Sequence, residues 1–255
     1  MRVPDAKPVT RWFHISDLHV DSATFRPALL ERLIDTINEE RPDLVVVSGD
    51  LTDRGLRHEF ESARSWLDRI EVPMVITPGN HDSRNVGYVH FEELFGPRYL
   101  TWRGQGVSLV MADSSEPDLD EGRIGRAWYP WIEQALDEAE GIRVFCTHHH
   151  LLPVPNAGRE RNILLDAGDV LSLLVAKGVQ LVLTGHKHVP HLWQMEGMLV
   201  AVAGTASTIR LRGKGQPSYN LVEFLADRIV VKAVNADGSA NEREVPLARR
   251  PPVEA

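Results

Sequence analysis

Residues 43–54 read Asp43-Leu44-Val45-Val46-Val47-Ser48-Gly49-Asp50-Leu51-Thr52-Asp53-Arg54. The apolar run Leu44 to Val47, followed by the small Ser48, is continuous rather than alternating, as in a strand buried on both faces. It leads directly into Gly49-Asp50. A carboxylate is therefore delivered at the carboxyl end of a buried parallel strand, where ligands collect in open α/β sheets. A single Gly-Asp pair also makes ordinary turns. Its meaning depends on whether other strands bring matching groups to the same place.

On both sides of this stretch the chain alternates strand-like and helix-like segments. Upstream, 9–16 reads as a strand ending in Asp17-Leu18-His19, and Leu29, Leu30, Leu33, Ile34 and Ile37 then recur at helical spacing between Arg26-Pro27 and Arg41-Pro42. Downstream, 56–70 is helical, with Phe60, Ala63, Trp66, Leu67 and Ile70 on one stripe. The strand 72–77 follows and ends in Pro78-Gly79-Asn80-His81-Asp82. These are two β–helix–β units of about 30 residues each, which should cross over right-handedly.

Further strands are expected at 107–113, 142–147 and 179–184, with helices at 86–95, 127–139 and 166–176 and loops at 114–126 and 151–161. Asp166 is placed to cap the last helix. The strand 142–147 ends in His148-His149-His150, and 179–184 ends in Gly185-His186-Lys187-His188. After that the rhythm changes. Strands at 198–203, 219–224 and 228–234 follow without helices between them, with a turn at Ala236-Asp237-Gly238, which predicts a second, largely antiparallel sheet packed on the first. No linker or compositional break divides the chain, so 1–255 reads as one domain with its core over about 10–235. The segment 242–255, with Arg249-Arg250-Pro251-Pro252, reads as a flexible tail or an arm onto a partner subunit.

Composition narrows the class. The chain has 255 residues, 43% hydrophobic and 25% charged, as in an ordinary globular protein. Its net charge of −8 argues against broad electrostatic affinity for nucleic acid. One cysteine, Cys146, excludes an intramolecular disulfide and fits a reducing compartment. There is no apolar leader at the N-terminus and no run near the ~20 residues that span a bilayer, so a cytoplasmic location is expected.

Five expected strand ends carry metal-type ligands: Asp17 and His19; Asp50; Asn80 and His81; His148; His186 and His188. Each alone has an ordinary explanation as turn chemistry or a polar surface run. Their joint placement after buried strands, expected on one edge of one sheet, does not. Two cations held ~3.5–4 Å apart need a shared anionic ligand to offset their repulsion. Carboxylate, amide and imidazole ligands together suit Mn, Fe or Zn. Residues two apart on an extended segment point the same way, so Asp17 and His19 can reach one site.

Laid out as Asp17-x-His19, Gly49-Asp50, Gly79-Asn80-His81-Asp82, His148 and Gly185-His186-x-His188, the sequence resembles the calcineurin-like metallophosphoesterase superfamily over about residues 10–210. It is most similar to the branch of class III cyclic nucleotide phosphodiesterases and glycerophosphodiesterases. The resemblance implies a four-layer α/β/β/α sandwich of two mixed sheets flanked by helices. It implies two di- or trivalent metal ions, one on Asp17, His19, Asp50 and His188, the other on Asp50, Asn80, His148 and His186. Within the triplet, His148 is taken as the ligand and His149 as the runner-up. The resemblance further implies that a metal-bridging hydroxide cleaves a small phosphodiester, with His81 stabilising the transition state or protonating the leaving oxygen. A homodimer is also compatible with it.

The same ligands would serve a phosphomonoesterase. A catalytically silent scaffold is a third reading, which would not need the complete set. Asp82 or the Thr52/Asp53 pair is placed to orient a ligand imidazole, or merely to make turn contacts. His14, His58, His90 and His191 read as surface or packing residues, and Cys146 as core. Pocket walls are expected from 54–59, 85–90, 151–162 and 205–213, with Arg210, Arg212 and Lys214 available to an anion.

Overall fold

The strand Leu44–Val47 (β2) has every residue buried because its two faces serve two different cores. In the computed structural model, which describes residues 9–158, 162–212 and 215–247, β2 lies between β1 (Thr10–Ile15) and β3 (Met74–Ile76), parallel to both. Val45 and Val47, with Phe13 and Ile15 of β1, pack against α1 (Pro27–Glu40) through Leu30, Leu33, Ile34 and Ile37. The same face meets α2 (Arg57–Leu67) through Phe60, Ala63 and Leu67. Leu44, Val46 and Trp12 point the other way, as the two-residue period of a strand requires, into a core shared with a second sheet.

That second sheet begins after a 3-10 turn (His81–Val86) and α3 (Gly87–Phe95). It contains β4 (Leu100–Gly104), β5 (Val107–Met111), β6 (Ile142–Cys146), β7 (Leu181–Thr184), β8 (His191–Met195) and β9 (Met198–Val202), in the order β4-β5-β6-β7-β9-β8. Leu109, Met111, Val144, Cys146, Leu181 and Leu183 meet the first sheet. Val110, Phe145, Val182 and Val200 face the outer helices α4 (Tyr129–Asp137) and α5 (Ala167–Ala176). The layers are thus α/β/β/α.

The C-terminal strands differ from expectation. β10 (Ser218–Phe224), β11 (Arg228–Asn235) and β12 (Ala240–Pro246) do not build a second sheet. They extend the first one on the free side of β1, in the order β12-β11-β10-β1-β2-β3. β9 instead joins the second sheet, parallel to β7. Packing decides this: Val222, Phe224, Ile229 and Val231 complete the inter-sheet core around Trp12, whose ring lies 4.6 Å from that of Phe224. Residues 242–246, expected to start a tail, belong to β12, where only Val245 turns inward; 248–255 lie outside the described residues. β4, β8 and β12 are edge strands whose side chains are mostly open to solvent, so no apolar run marks them, whereas the edge strand β3 keeps one. Asp166 occupies the N-cap position of α5 as expected, but its carboxylate makes no capping bond; it accepts the Ile124 and Gly125 amides and the Tyr129 hydroxyl, bracing the 114–126 loop.

Candidate metal centre

The five strand ends meet, but across two sheets rather than along one. β1, β2 and β3 bring Asp17, His19, Asp50 and Asn80 from the first sheet, and β6 and β7 bring His148, His186 and His188 from the second. Asp17, His19, Asp50, His186 and His188 all adopt left-handed backbone, with φ of 55°, 44°, 54°, 73° and 56°. Such residues cost of order 1–3 kcal/mol each and persist where surrounding structure over-determines them. Here the Asp17 amide donates to the Gly49 carbonyl, that of His19 to the Asp50 carbonyl, and that of His186 to Asp17 Oδ2. Gly79 has to be glycine, because a Cβ there would collide with the Asp50 carboxylate and sit 2.5 Å from its amide nitrogen.

Three imidazoles are oriented by backbone carbonyls. His19 Nδ1 lies 3.2 Å from the Thr52 oxygen, His148 Nδ1 2.7 Å from that of Ser48, and His188 Nδ1 2.6 Å from that of Arg210. A carbonyl oxygen only accepts, so each Nδ1 carries the hydrogen and each Nε2 turns a lone pair inward. The lone pairs find other acceptors. His19 Nε2 is 3.0 Å from His188 Nε2, which is 3.2 Å from Asp17 Oδ1. His148 Nε2 is 3.4 Å from Asp50 Oδ2 and 3.2 Å from Asn80 Oδ1, and His186 Nδ1 is 3.0 Å from the same amide oxygen. Asp17 Oδ1 is buried without a hydrogen-bond partner. Acceptors crowded together out of water are costly unless a cation stands between them, so the donor set fits a metal ion. Three groups each converge within 4.8 Å: Asp17, His19 and His188; Asp50, His148 and His186; and His19, Asp50 and His81.

The electrostatics agree. Burial would raise the Asp50 carboxyl, and the imidazoles of His148, His81 and His19 outweigh it, holding it well below the usual range. Burial pushes His19 down to about 3 and His186 well below its ordinary value. His148 goes the other way, to about 9, because Asp50 and Asp17 outweigh its burial. A proton and a metal ion compete for that same electron pair.

The surrounding residues divide the supporting roles. The His81 ring stands edge-on to His19 at 4.6 Å, with Nδ1 2.6 Å from the Asp53 carbonyl and its amide donating to Asp50 Oδ1. Asp82 touches no imidazole. It accepts the amides of Leu51, Thr52 and Gly79 and the Thr52 hydroxyl, clamping the loops after β2 and β3, and burial pushes it up to about 6. The orienting contact comes from Thr52, through its carbonyl to His19. Of the triplet, His148 enters the cluster, His149 binds Ser114 and the Asp120 carbonyl, and His150 stacks on His186 at 5.6 Å.

A pocket of about 280 Å³ opens over the cluster, lined by Asp50, Asn80, His81, His186, His188, Asp120, Asn162, Arg210 and Arg212. The expected walls 54–59 and 85–90 are not among these residues, and Lys214 lies outside the described ones. Sequence reasoning missed Asp120 and Arg84, which meet the site from the polar loop 114–126 and the 3-10 turn. No spacing marks either. His14 is buried between Ser48 and Asn220, and Cys146 belongs to the inter-sheet core. No helix among the described residues is long and apolar enough to cross a membrane.

Known proteins resemble the chain in sequence and fold. The profile of the calcineurin-like phosphoesterases fits residues 10–190. The chain is 27% identical over 160 residues to a probable cyclic nucleotide phosphodiesterase of Synechococcus, the match covering 60% of each protein. It is 30% identical over 195 residues to a glycerophosphodiester phosphodiesterase of Enterobacter lignolyticus, covering 69% of each. The chain thus spans about six- to seven-tenths of these relatives' length. A dimetal phosphatase from Danio rerio shares the fold, with a TM-score of 0.70 over 94% of this chain and 99% of that one, at 15% identity.

Proposed function

Because the chain belongs to the calcineurin-like phosphoesterase family, we propose that it is a metal-dependent phosphodiesterase acting on small phosphodiesters, cyclic nucleotides among them. The observation that carries this reading is the set of Nε2 lone pairs and carboxylate oxygens facing one another at 3.0–3.6 Å. Asp17, His19, Asp50 and His188 would hold one metal ion, and Asp50, Asn80, His148 and His186 a second, with Mn, Fe or Zn suited to the mixed set. Bound there, the ions supply positive charge against the phosphate oxygens and an activated water as nucleophile.

The protein's own residues do the rest. Asp50, whose Oδ2 faces His19 on one side and His148 on the other, would offset the repulsion between two bound cations. Thr52, Ser48 and Arg210 hold the imidazoles in the tautomer that turns Nε2 inward. His81 is held against the cluster by Asp53 and by its own amide, and its ring lines the pocket. In this reading it gives a proton to the leaving oxygen or stabilises charge there. The names of the two curated relatives favour a diester substrate.

Arg210 and Arg212 at the pocket wall favour the second reading, a phosphomonoesterase, since two guanidinium groups suit a dianion. Turnover of a bis(aryl) phosphate against the aryl monoester, with Mn²⁺ and metal analysis of the same preparation, separates the two. Preferred cleavage of the diester is expected. Preference for the monoester sinks the phosphodiesterase reading, and a metal-loaded protein inert toward both revives the silent scaffold.

A further inference from the structure

We propose that Asp120 is a positioning residue of the metal centre: it fixes which end of the Asn80 amide faces the imidazoles, and His149 holds it in place. The inference rests on Asn80 being a metal ligand. An amide has an acceptor end and a donor end of nearly equal size, so a ligand asparagine needs something to stop it turning over. Asn80 Oδ1 faces His148 Nε2 at 3.2 Å and His186 Nδ1 at 3.0 Å, while Nδ2 donates to Asp120 Oδ1 at 3.4 Å. Turned over, the amide would set its oxygen against the Asp120 carboxylate and its hydrogens toward the cations. Both contacts would be repulsive.

Asp120 lies on the 114–126 loop, whose own sequence does not dictate where it sits. Two contacts bring it over the site. His149 Nε2 lies 3.2 Å from the Asp120 carbonyl, which makes Nε2 the protonated nitrogen, and Nδ1 accepts from the Ser114 hydroxyl at 2.8 Å. The second contact is the ion pair of Asp120 with Arg84, whose Nη1 also lies 3.0 Å from His81 Nδ1. One carboxylate therefore ties the amide of Asn80 to the arginine that touches His81. His149 does not enter the cluster, yet it anchors the residue that orients a ligand.

The test is Mn²⁺ binding to full-length protein by calorimetric titration and metal analysis, for Asp120→Ala, Asp120→Asn, Asn80→Ala and the Asn80→Ala/Asp120→Ala pair. Asp120 is exposed, with 57% of its side chain open to solvent, so its variants should fold. Losing a group that orients a ligand costs roughly tenfold to a hundredfold in metal affinity. Asp120→Ala should weaken the second equivalent by about that factor. Asp120→Asn keeps an acceptor for Asn80 Nδ2 and should recover most of the loss. The double variant should be no weaker than Asn80→Ala alone, because the two residues act as one unit. Unchanged affinity in Asp120→Ala, no recovery in Asp120→Asn, or additive losses overturns the proposal while leaving Asn80 a ligand. Unchanged affinity in Asn80→Ala overturns the ligand assignment on which it rests.

Discussion

His19 and His188 face each other through their Nε2 atoms at 3.0 Å, each with its Nδ1 committed to a backbone carbonyl. Two lone pairs at that distance repel unless a positive charge lies between them. The residues are 169 positions apart and come from different sheets, so the contact joins the two halves of the sandwich.

Removing metal should therefore loosen the fold. At a free metal concentration of 100 times Kd, binding stabilises the native state by about 2.7 kcal/mol, and each kcal/mol moves Tm by ~2–4 °C at this chain length. Chelation should lower Tm by roughly 5–10 °C, reversed by Mn²⁺ or Zn²⁺. A scanning-calorimetry trace indifferent to chelator would mean that the lone pairs hold no cation.

Asp50→Ala should do more damage than loss of any other ligand. Asp50 Oδ2 is 3.6 Å from His19 Nε2 and 3.4 Å from His148 Nε2, so one carboxylate faces both halves of the cluster. The variant should lose two-metal occupancy, whereas His188→Ala should lose chiefly the ion on the Asp17 side. Metal analysis checks this; two ions retained in Asp50→Ala would refute the bridging role.

His81→Ala should keep its metal and lose rate, by about 10²–10⁴-fold for a group that protonates or stabilises the leaving oxygen. Steady-state turnover and metal stoichiometry on one sample decide it. If the metal goes too, His81 belongs among the ligands, as its convergence with His19 and Asp50 allows.

His14 predicts an acid-sensitive fold. Burial pushes its imidazole down to about 3 from 6.5. Its Nε2 meets the Ser48 hydroxyl, and its Nδ1 the Asn220 amide, both without opening to water. Below pH 6.5 the unfolded chain takes up a proton at this position that the folded chain refuses, so stability falls as pH drops from 6.5 toward 3. One unit below 6.5 the loss from this group is about 1.4 kcal/mol. His14→Gln should show a shallower decline in urea-unfolding free energy between pH 6.5 and 5; parallel curves for variant and wild type would exclude His14 as a source.

Much of this molecule is written locally. The run Leu44 to Val47 declares a strand buried on both faces, and the helix stripes of α1 and α2 declare the layer above it, because burial periodicity depends only on neighbours in the chain. The ligand types are legible for the same reason: a carboxylate, amide or imidazole just after a buried strand lies at the strand's carboxyl end whatever the sheet order. What the chain cannot state locally is which strands pair. Placing β10–β12 beside β1 and splitting the candidate ligands between two sheets depends on long-range packing around Trp12. Strands β4, β8 and β12 are illegible in the sequence because most of their side chains are open to solvent and leave no apolar signature.

The distinction is sharpest within His148-His149-His150. The sequence by itself determined that three imidazoles follow β6. Only the tertiary structure decided which groups each one meets, because the Ser48 carbonyl beside His148 is 100 residues away, and His149 meets the Asp120 carbonyl on a separate loop whose carboxylate in turn meets Asn80. Tautomer and direction are set by partners that folding brings within hydrogen-bond reach, and no spacing along the chain encodes them.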